Sequence, residues 1–247
     1  MKVLFKQKQW IVIQAIFVII SIIAGISIKA HTKEPVGGLA MGLHFIASTT
    51  EYGIPIFFIL FSDLLFNVEY LQGTFLTHLT CGQSRRVWML KKSITFYMFI
   101  LLQILITLVL ISLVTGALLG HFGLQGLKEL DKTVYNMKTT ELVRGIGLNT
   151  LRIFMFVSFA VFVSTLLPGK LVIGSIASIG AIFIIMRIMA DLYHTYKDSK
   201  VMDFVVRNFF FENPTKLAWV FGILWVLIFT WLSIERVNRV EIASRGA

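Results

Sequence analysis

Charge is scarce in this sequence. Only 15% of its 247 residues are Asp, Glu, Lys or Arg, against roughly a quarter in an ordinary soluble domain. Cysteine occurs once, at Cys81, which excludes an internal disulfide, and no Cys/His group has metal-ligand spacing. No G-x-x-x-x-G-K-[ST] phosphate loop is present, because Gly169-Lys170 lacks both the upstream glycine and the following hydroxyl. Paired glutamates, a nucleophile elbow and a zinc-binding helix are also missing, which argues against a membrane-embedded hydrolase. His44, His78, His121 and His194 do not cluster along the chain. The formal net charge of +10 comes without any nucleic-acid-binding motif. Much of it flanks apolar blocks, as expected of headgroup anchors and topology signals.

What the chain has in abundance is long apolar blocks, of which the second is interrupted by Glu51, Pro55 and Asp63. Apolar residues make up 57% of it, and they fall in blocks, not at the helical or strand period of a half-buried element. Six such blocks stand at 10–28, 45–66, 94–119, 148–167, 171–189 and 217–234. Helices of about 20 residues match a ~30 Å hydrocarbon core. The strict alternation of a membrane β-barrel is absent. The first block follows Lys2, Lys6 and Lys8 and has no good small-x-small site after it, so it reads as a retained span and not as a cleaved leader. The expected fold is an all-α integral membrane protein with six transmembrane helices in a single domain over residues 1–247.

Basic residues at span ends orient the chain. The cluster Arg85, Arg86, Lys91, Lys92 before the third span, together with Arg236 and Arg239 after the sixth, predicts a cell-membrane protein with both termini in the cytoplasm. The turn Pro168-Gly169-Lys170 makes spans four and five antiparallel neighbours. Outside, Leu124, Leu127, Leu130, Val134 and Met137 recur at helical spacing, which predicts an amphipathic surface helix. A second outer segment, 201–211, is too short and charged to span and ends at Asn213-Pro214.

The inner connection between spans two and three is the most informative stretch. After Asp63 it runs Glu69-Tyr70-Leu71-Gln72-Gly73-Thr74, continues through a short helical stretch, and closes with Ser84-Arg85-Arg86 and then Lys91. Leu71, Phe75 and Leu79 lie four apart, so a short helix over this stretch has one apolar edge, with Glu69 near its start, where a carboxylate suits the dipole. The order of an acid, Gly-Thr, a helical stretch, Ser-Arg and Lys resembles that of type-2 ABC exporter permeases. In that family this loop is the coupling helix that docks on a cytoplasmic ATPase, with Glu69, Gly73, Thr74, Ser84, Arg85, Arg86 and Lys91 at or beside the matching positions. The chain length, the six spans and the short inner turn are similar too, and small permeases that export or expel antimicrobial peptides are the most similar in size. The resemblance implies a separate ATPase chain that carries the ATP and Mg, and a second permease copy or a related permease.

Polar residues inside spans are costly and are functional candidates by default. Glu51, Arg152 and Arg187 lie near the outer ends of spans two, four and five. They either pair with one another, or with Asp191 in the case of Arg187, or snorkel to the headgroups. Gln14, Gln103 and Thr107 read as helix–helix glue. In span five Gly174 and Ser178, and likewise Ala177 and Ala181, are four apart, a spacing that lets backbones approach closely. The resemblance places this span near the subunit interface. The expected function is the pathway-forming subunit of an ATP-driven exporter for an amphipathic peptide or lipid-like substrate. A secondary transporter or channel, or a membrane scaffold or enzyme without transport, are the other readings. No clear internal repeat supports the former.

Overall fold

The computed structural model describes residues 8–31, 36–49, 53–71, 84–124, 139–170, 172–196, 199 and 216–239. Every regular element among them is a helix: α1 (Lys8–His31), α2 (Gly38–Thr49), α3 (Gly53–Leu71), α4 (Arg85–Leu119), α5 (Thr139–Leu166), α6 (Ile173–Thr195) and α7 (Lys216–Arg239). This is the architecture that apolar blocks demand, since a helix satisfies its backbone polar groups internally where water is absent. Among the described residues, the stretches Arg85–Leu119, Ile146–Leu166 and Leu217–Arg239 are long and apolar enough to cross a membrane. Ile54–Asp63 and Ile173–Ile188 form shorter apolar helices. The surface matches: on α7 Ile223, Leu227 and Trp231 are 48%, 59% and 61% exposed, an apolar face suited to lipid and not to water.

The helices outrun the apolar blocks. α4 begins at Arg85 instead of Ile94 and has 35 residues. At ~1.5 Å per residue it is ~52 Å long, well beyond a ~30 Å hydrocarbon core. The block at 45–66 is divided between α2 and α3, with residues 50–52 outside the described ones. Pro55 supplies the reason. It lies in the first turn of α3, where a missing N–H costs nothing, whereas inside a continuous helix its ring would clash with the preceding turn. The expected amphipathic helix around 124–138 and the outer segment 201–215 lie outside the described residues, apart from Leu124.

The chain divides into two compact units, Met1–Tyr52 with Tyr97–Asn149, and Gly53–Phe96 with Thr150–Ala247. In the first, α2 starts against the loop that follows α4. The N–H groups of Gly38, Leu39 and Ala40 donate to the carbonyls of His121, Phe122 and Gly123 at 2.7, 3.3 and 3.4 Å. These are the orphan donors of a helix start, satisfied here by backbone and not by a capping side chain. Gly38 and Gly42, four residues apart, face Ser112 and Gly116 of α4. A Cβ on Gly38 would lie 2.2 Å from the Ser112 carbonyl oxygen, and one on Gly42 2.2 Å from Ser112 Oγ. Small residues at this spacing allow close helix crossings in membranes. α1 joins through Gln14, whose Nε2 donates to Thr107 Oγ1 at 3.3 Å, and through the edge-on contact of Phe17 with Phe45. Gln14 and Thr107 thus act as the expected helix–helix glue.

In the second unit, Phe58 and Phe61 of α3 pack on Phe96 at the end of the α4 segment that belongs to it. α7 lies on α5: Trp225 Nε1 donates to the Met155 carbonyl at 3.2 Å, Phe229 meets Phe159 and Phe162, and Gly222 leaves room for Leu151. Buried hydroxyls bond mostly within their own helix, as Ser62 does to Ile59, Ser158 to Met155 and Ser233 to Phe229. This pattern satisfies a hydroxyl without linking helices.

The α2–α4 crossing generates a direct test. Gly38→Ala forces backbone apart and is expected to destabilise the protein by about 1–3 kcal/mol, the usual cost of overpacking. Gly180→Ala, at a position with nothing within 4 Å, is expected to leave stability unchanged or slightly raised. Thermal unfolding of the purified variants in detergent measures both.

Candidate functional site

Asp63 is fully buried in α3, in the second unit. An isolated carboxylate in such surroundings is strongly unfavourable unless donors meet it. Here they come from three directions. Asn67, one turn on, donates its Nδ2–H to Asp63 Oδ1. Ser164 near the end of α5 donates its hydroxyl to the same oxygen at 2.8 Å. The backbone N–H of Ser175, in the first turn of α6, donates to Oδ2 at 3.2 Å. Asn67 extends the reach of the group, because its Oδ1 accepts the Gly169 N–H at 3.2 Å in the turn between α5 and α6.

The last of the bonds to Asp63 joins the carboxyl group to the start of a helix. α6 starts after Val172, whose side chain makes no capping hydrogen bond. The start of the helix therefore needs an acceptor from elsewhere, and its partial positive charge favours an anion. Asp63 supplies both, as a cap reaching across from another helix. Gly174 is the sequence feature that permits it: a Cβ there would lie 2.7 Å from Asp63 Oδ1. Val172 holds φ at 71°, a conformation unusual for a β-branched residue and one that persists only where the surroundings impose it. The Ser175 hydroxyl adds a contact to the Ile59 carbonyl at 3.4 Å.

A second polar cluster joins the start of α4 to the end of α7. Arg86 Nη2 lies 3.0 Å from Glu235 Oε2, and Arg239 Nε lies 3.0 Å from Glu235 Oε1. Arg85 Nη1 donates to the Asn238 carbonyl at 3.4 Å. Ser84 accepts the Val87 N–H at 3.3 Å with its hydroxyl and so caps the start of α4. Lys92 lies over the Trp88 ring at 4.7 Å, and Lys91 is exposed.

The residues singled out in the sequence are distributed as follows. Ser84, Arg85, Arg86 and Lys91 gather at the start of α4. Glu69 stands in the last turn of α3, not at the start of a separate helix, because α3 continues past the apolar block to Leu71. Gly73 and Thr74 lie outside the described residues, as does Glu51. Arg152 is half-buried in α5. Arg187 pairs with Asp191 at 3.3 Å, and both are exposed. Gly174 and Ser178 are buried within the chain, Ser178 bonding back to the Gly174 carbonyl, while Ala177 is exposed and Ala181 half-buried. The sequence reading placed Asp63 at the edge of a loop and so missed it as a site. The available signal was a carboxylate with Phe61 before it, Leu64-Leu65-Phe66 after it and an asparagine one turn on.

Asp63→Leu removes the acceptor of three donors and is expected to cost about 1–3 kcal/mol for each that finds no other partner. Gly174→Ala is expected to destabilise through the same contact. Arg86→Ala, at an exposed ion pair, is expected to change the unfolding midpoint little. Melting curves of the three variants in one detergent rank them; an Asp63→Leu curve as stable as that of Arg86→Ala contradicts the capping role. Comparison of the chain with known protein families, curated proteins and solved structures finds no match.

Proposed function

We propose that the chain is the membrane subunit of an ATP-binding cassette exporter, with six spans, both termini in the cytoplasm and residues 69–86 as the docking element for a separate ATPase. The observation that carries this reading is the order Glu69, Gly73-Thr74, Ser84-Arg85, Lys91 between two apolar helices. Its flanks support it. α3 runs without a break to Leu71, and α4 opens at Arg85 behind the Ser84 cap, so residues 72–83 are attached at both ends to helices that enter apolar sequence. A docking element needs such attachments if its displacement is to tilt spans.

Within this reading the residues divide their work. Glu69, Gly73, Thr74 and Lys91 meet the partner: the glycine allows close approach, and the threonine and the charges offer hydrogen bonds. Arg85 and Arg86 bond to the end of α7, so their part is to tie the docking element to the last span. Two copies, or one copy with a related permease, form the pathway, and Ala177 on the open side of α6 is a candidate for contact between them. The apolar outer faces suit an amphipathic peptide or lipid-like substrate. ATP and Mg belong to the partner chain, as no phosphate-cradling loop occurs here.

Glu69→Arg and Gly73→Trp are expected to leave membrane insertion intact and to abolish co-purification of the ATPase and transport-coupled hydrolysis. Retention of partner and activity by both variants refutes the docking assignment. Cysteine labelling at Lys132 and Arg245 is expected to report opposite sides of the membrane, and labelling from one side refutes the topology. The purified chain alone is expected neither to bind nor to hydrolyse ATP.

A further inference from the structure

A docking segment is useful only if its displacement reaches the spans beyond its own two helices. α3 and α4 receive it directly, because they flank residues 72–83. The hairpin of α5 and α6 does not flank that segment in the chain, and the polar part of its link to α3 is the group around Asp63, with the Ser175 hydroxyl on the Ile59 carbonyl beside it. We infer that Asp63 and Asn67 form a clasp that passes displacement of the 72–83 segment from α3 to the α5–α6 hairpin, with Asp63 as its positioning residue; the clasp rests on the docking role proposed above.

The geometry favours transmission over simple adhesion. Asp63 and Asn67 are one turn apart on the same face of α3, and the Leu71 end of that helix is one further turn on. Together they hold the hairpin at three places: Ser164 near the end of α5, the Gly169 N–H in the turn, and the Ser175 N–H at the start of α6. Apolar side chains alone would let the hairpin slide along α3, since one close-packed register resembles the next. Directed bonds to a buried carboxylate do not slide, because each broken bond leaves a polar group without water to replace its partner. Ser62, Thr165 and Ser178 bond to carbonyls of their own helices, and the Ser175 hydroxyl adds one longer bond, 3.4 Å to the Ile59 carbonyl, to the same link. The start of α6 is also shaped for this contact: Gly174 leaves space for the Asp63 carboxylate and the Ser164 hydroxyl, next to Val172 with its positive φ.

The test uses the full chain reconstituted in lipid without any ATPase. Cys81→Ser removes the native thiol, and Lys170→Cys places a reporter in the exposed turn of the hairpin. Gly73→Trp perturbs the docking segment, and the rate of maleimide labelling at residue 170 is read with and without it. With Asp63 and Asn67 in place, Gly73→Trp is expected to change that rate about threefold or more, as for energetically coupled sites. In Asp63→Asn the change is expected to fall to near zero. Asn67→Ala, which leaves the carboxylate and the α6 cap intact, is expected to reduce it and decides the matter should Asp63→Asn fail to fold. Phe58→Ala, at a buried position with no bond to the hairpin, is expected to lower stability and keep the response, which separates a clasp from a merely stabilising residue. A response that survives undiminished in Asp63→Asn and Asn67→Ala, or no response in the parent chain, overturns the inference. Co-purification of an ATPase with the parent chain is scored separately; its failure counts against the docking reading and not against a labelling response that depends on Asp63.

Discussion

Much of the second unit is arranged around one buried carboxylate. Asp63 is fully buried, and an amide, a hydroxyl and a helix start all donate to its side-chain oxygens. Several otherwise unrelated features follow from that arrangement. α6 begins where it does because its cap comes from α3. Gly174 has no side chain because the carboxylate occupies that space. The α5–α6 turn is held at Gly169 because Asn67 is within reach one turn beyond Asp63. In an apolar medium a polar group either bonds inside the protein or destabilises it, so a single acid dictates the placement of three chain segments.

The first unit meets the same constraint by other means. There the orphan N–H groups of α2 are satisfied by three successive carbonyls of the loop after α4, and Gly38 and Gly42 bring the helices close enough for that to happen. No ionisable group is needed. The backbone cap ties a helix start to a loop, whereas the carboxylate cap ties a helix start to the side of another helix.

The two polar clusters of the second unit stand in different surroundings. Glu235 with Arg86 and Arg239 is exposed, at the junction of α4 and α7, and is screened by solvent; it positions helix ends without contributing much stability. Asp63 is shielded and its bonds are correspondingly harder to break. The Arg85–Asn238 and Arg86–Glu235 contacts also show that basic residues beside a span need not serve headgroups alone.

The sequence by itself determined the fold class, since apolar blocks too long and too uniform for a soluble core admit only helices, and the length of each block is a local property. It also pointed to the sharp turn at Pro168-Gly169 and to Gln14 and Thr107 as residues that join helices, though not to their pairing with each other. It did not show that α4 extends back to Arg85, because basic residues carry helix propensity without hydrophobicity, nor that the second block is divided near Pro55. Asp63 was visible as an interruption, but a carboxylate near a span end reads the same whether it faces water or a helix start. Its partner Ser175 is 112 residues away, and a backbone N–H leaves no mark in a sequence. Only the tertiary structure decided what that carboxylate meets, because the donors that make its burial tolerable exist only once α3, α5 and α6 are packed.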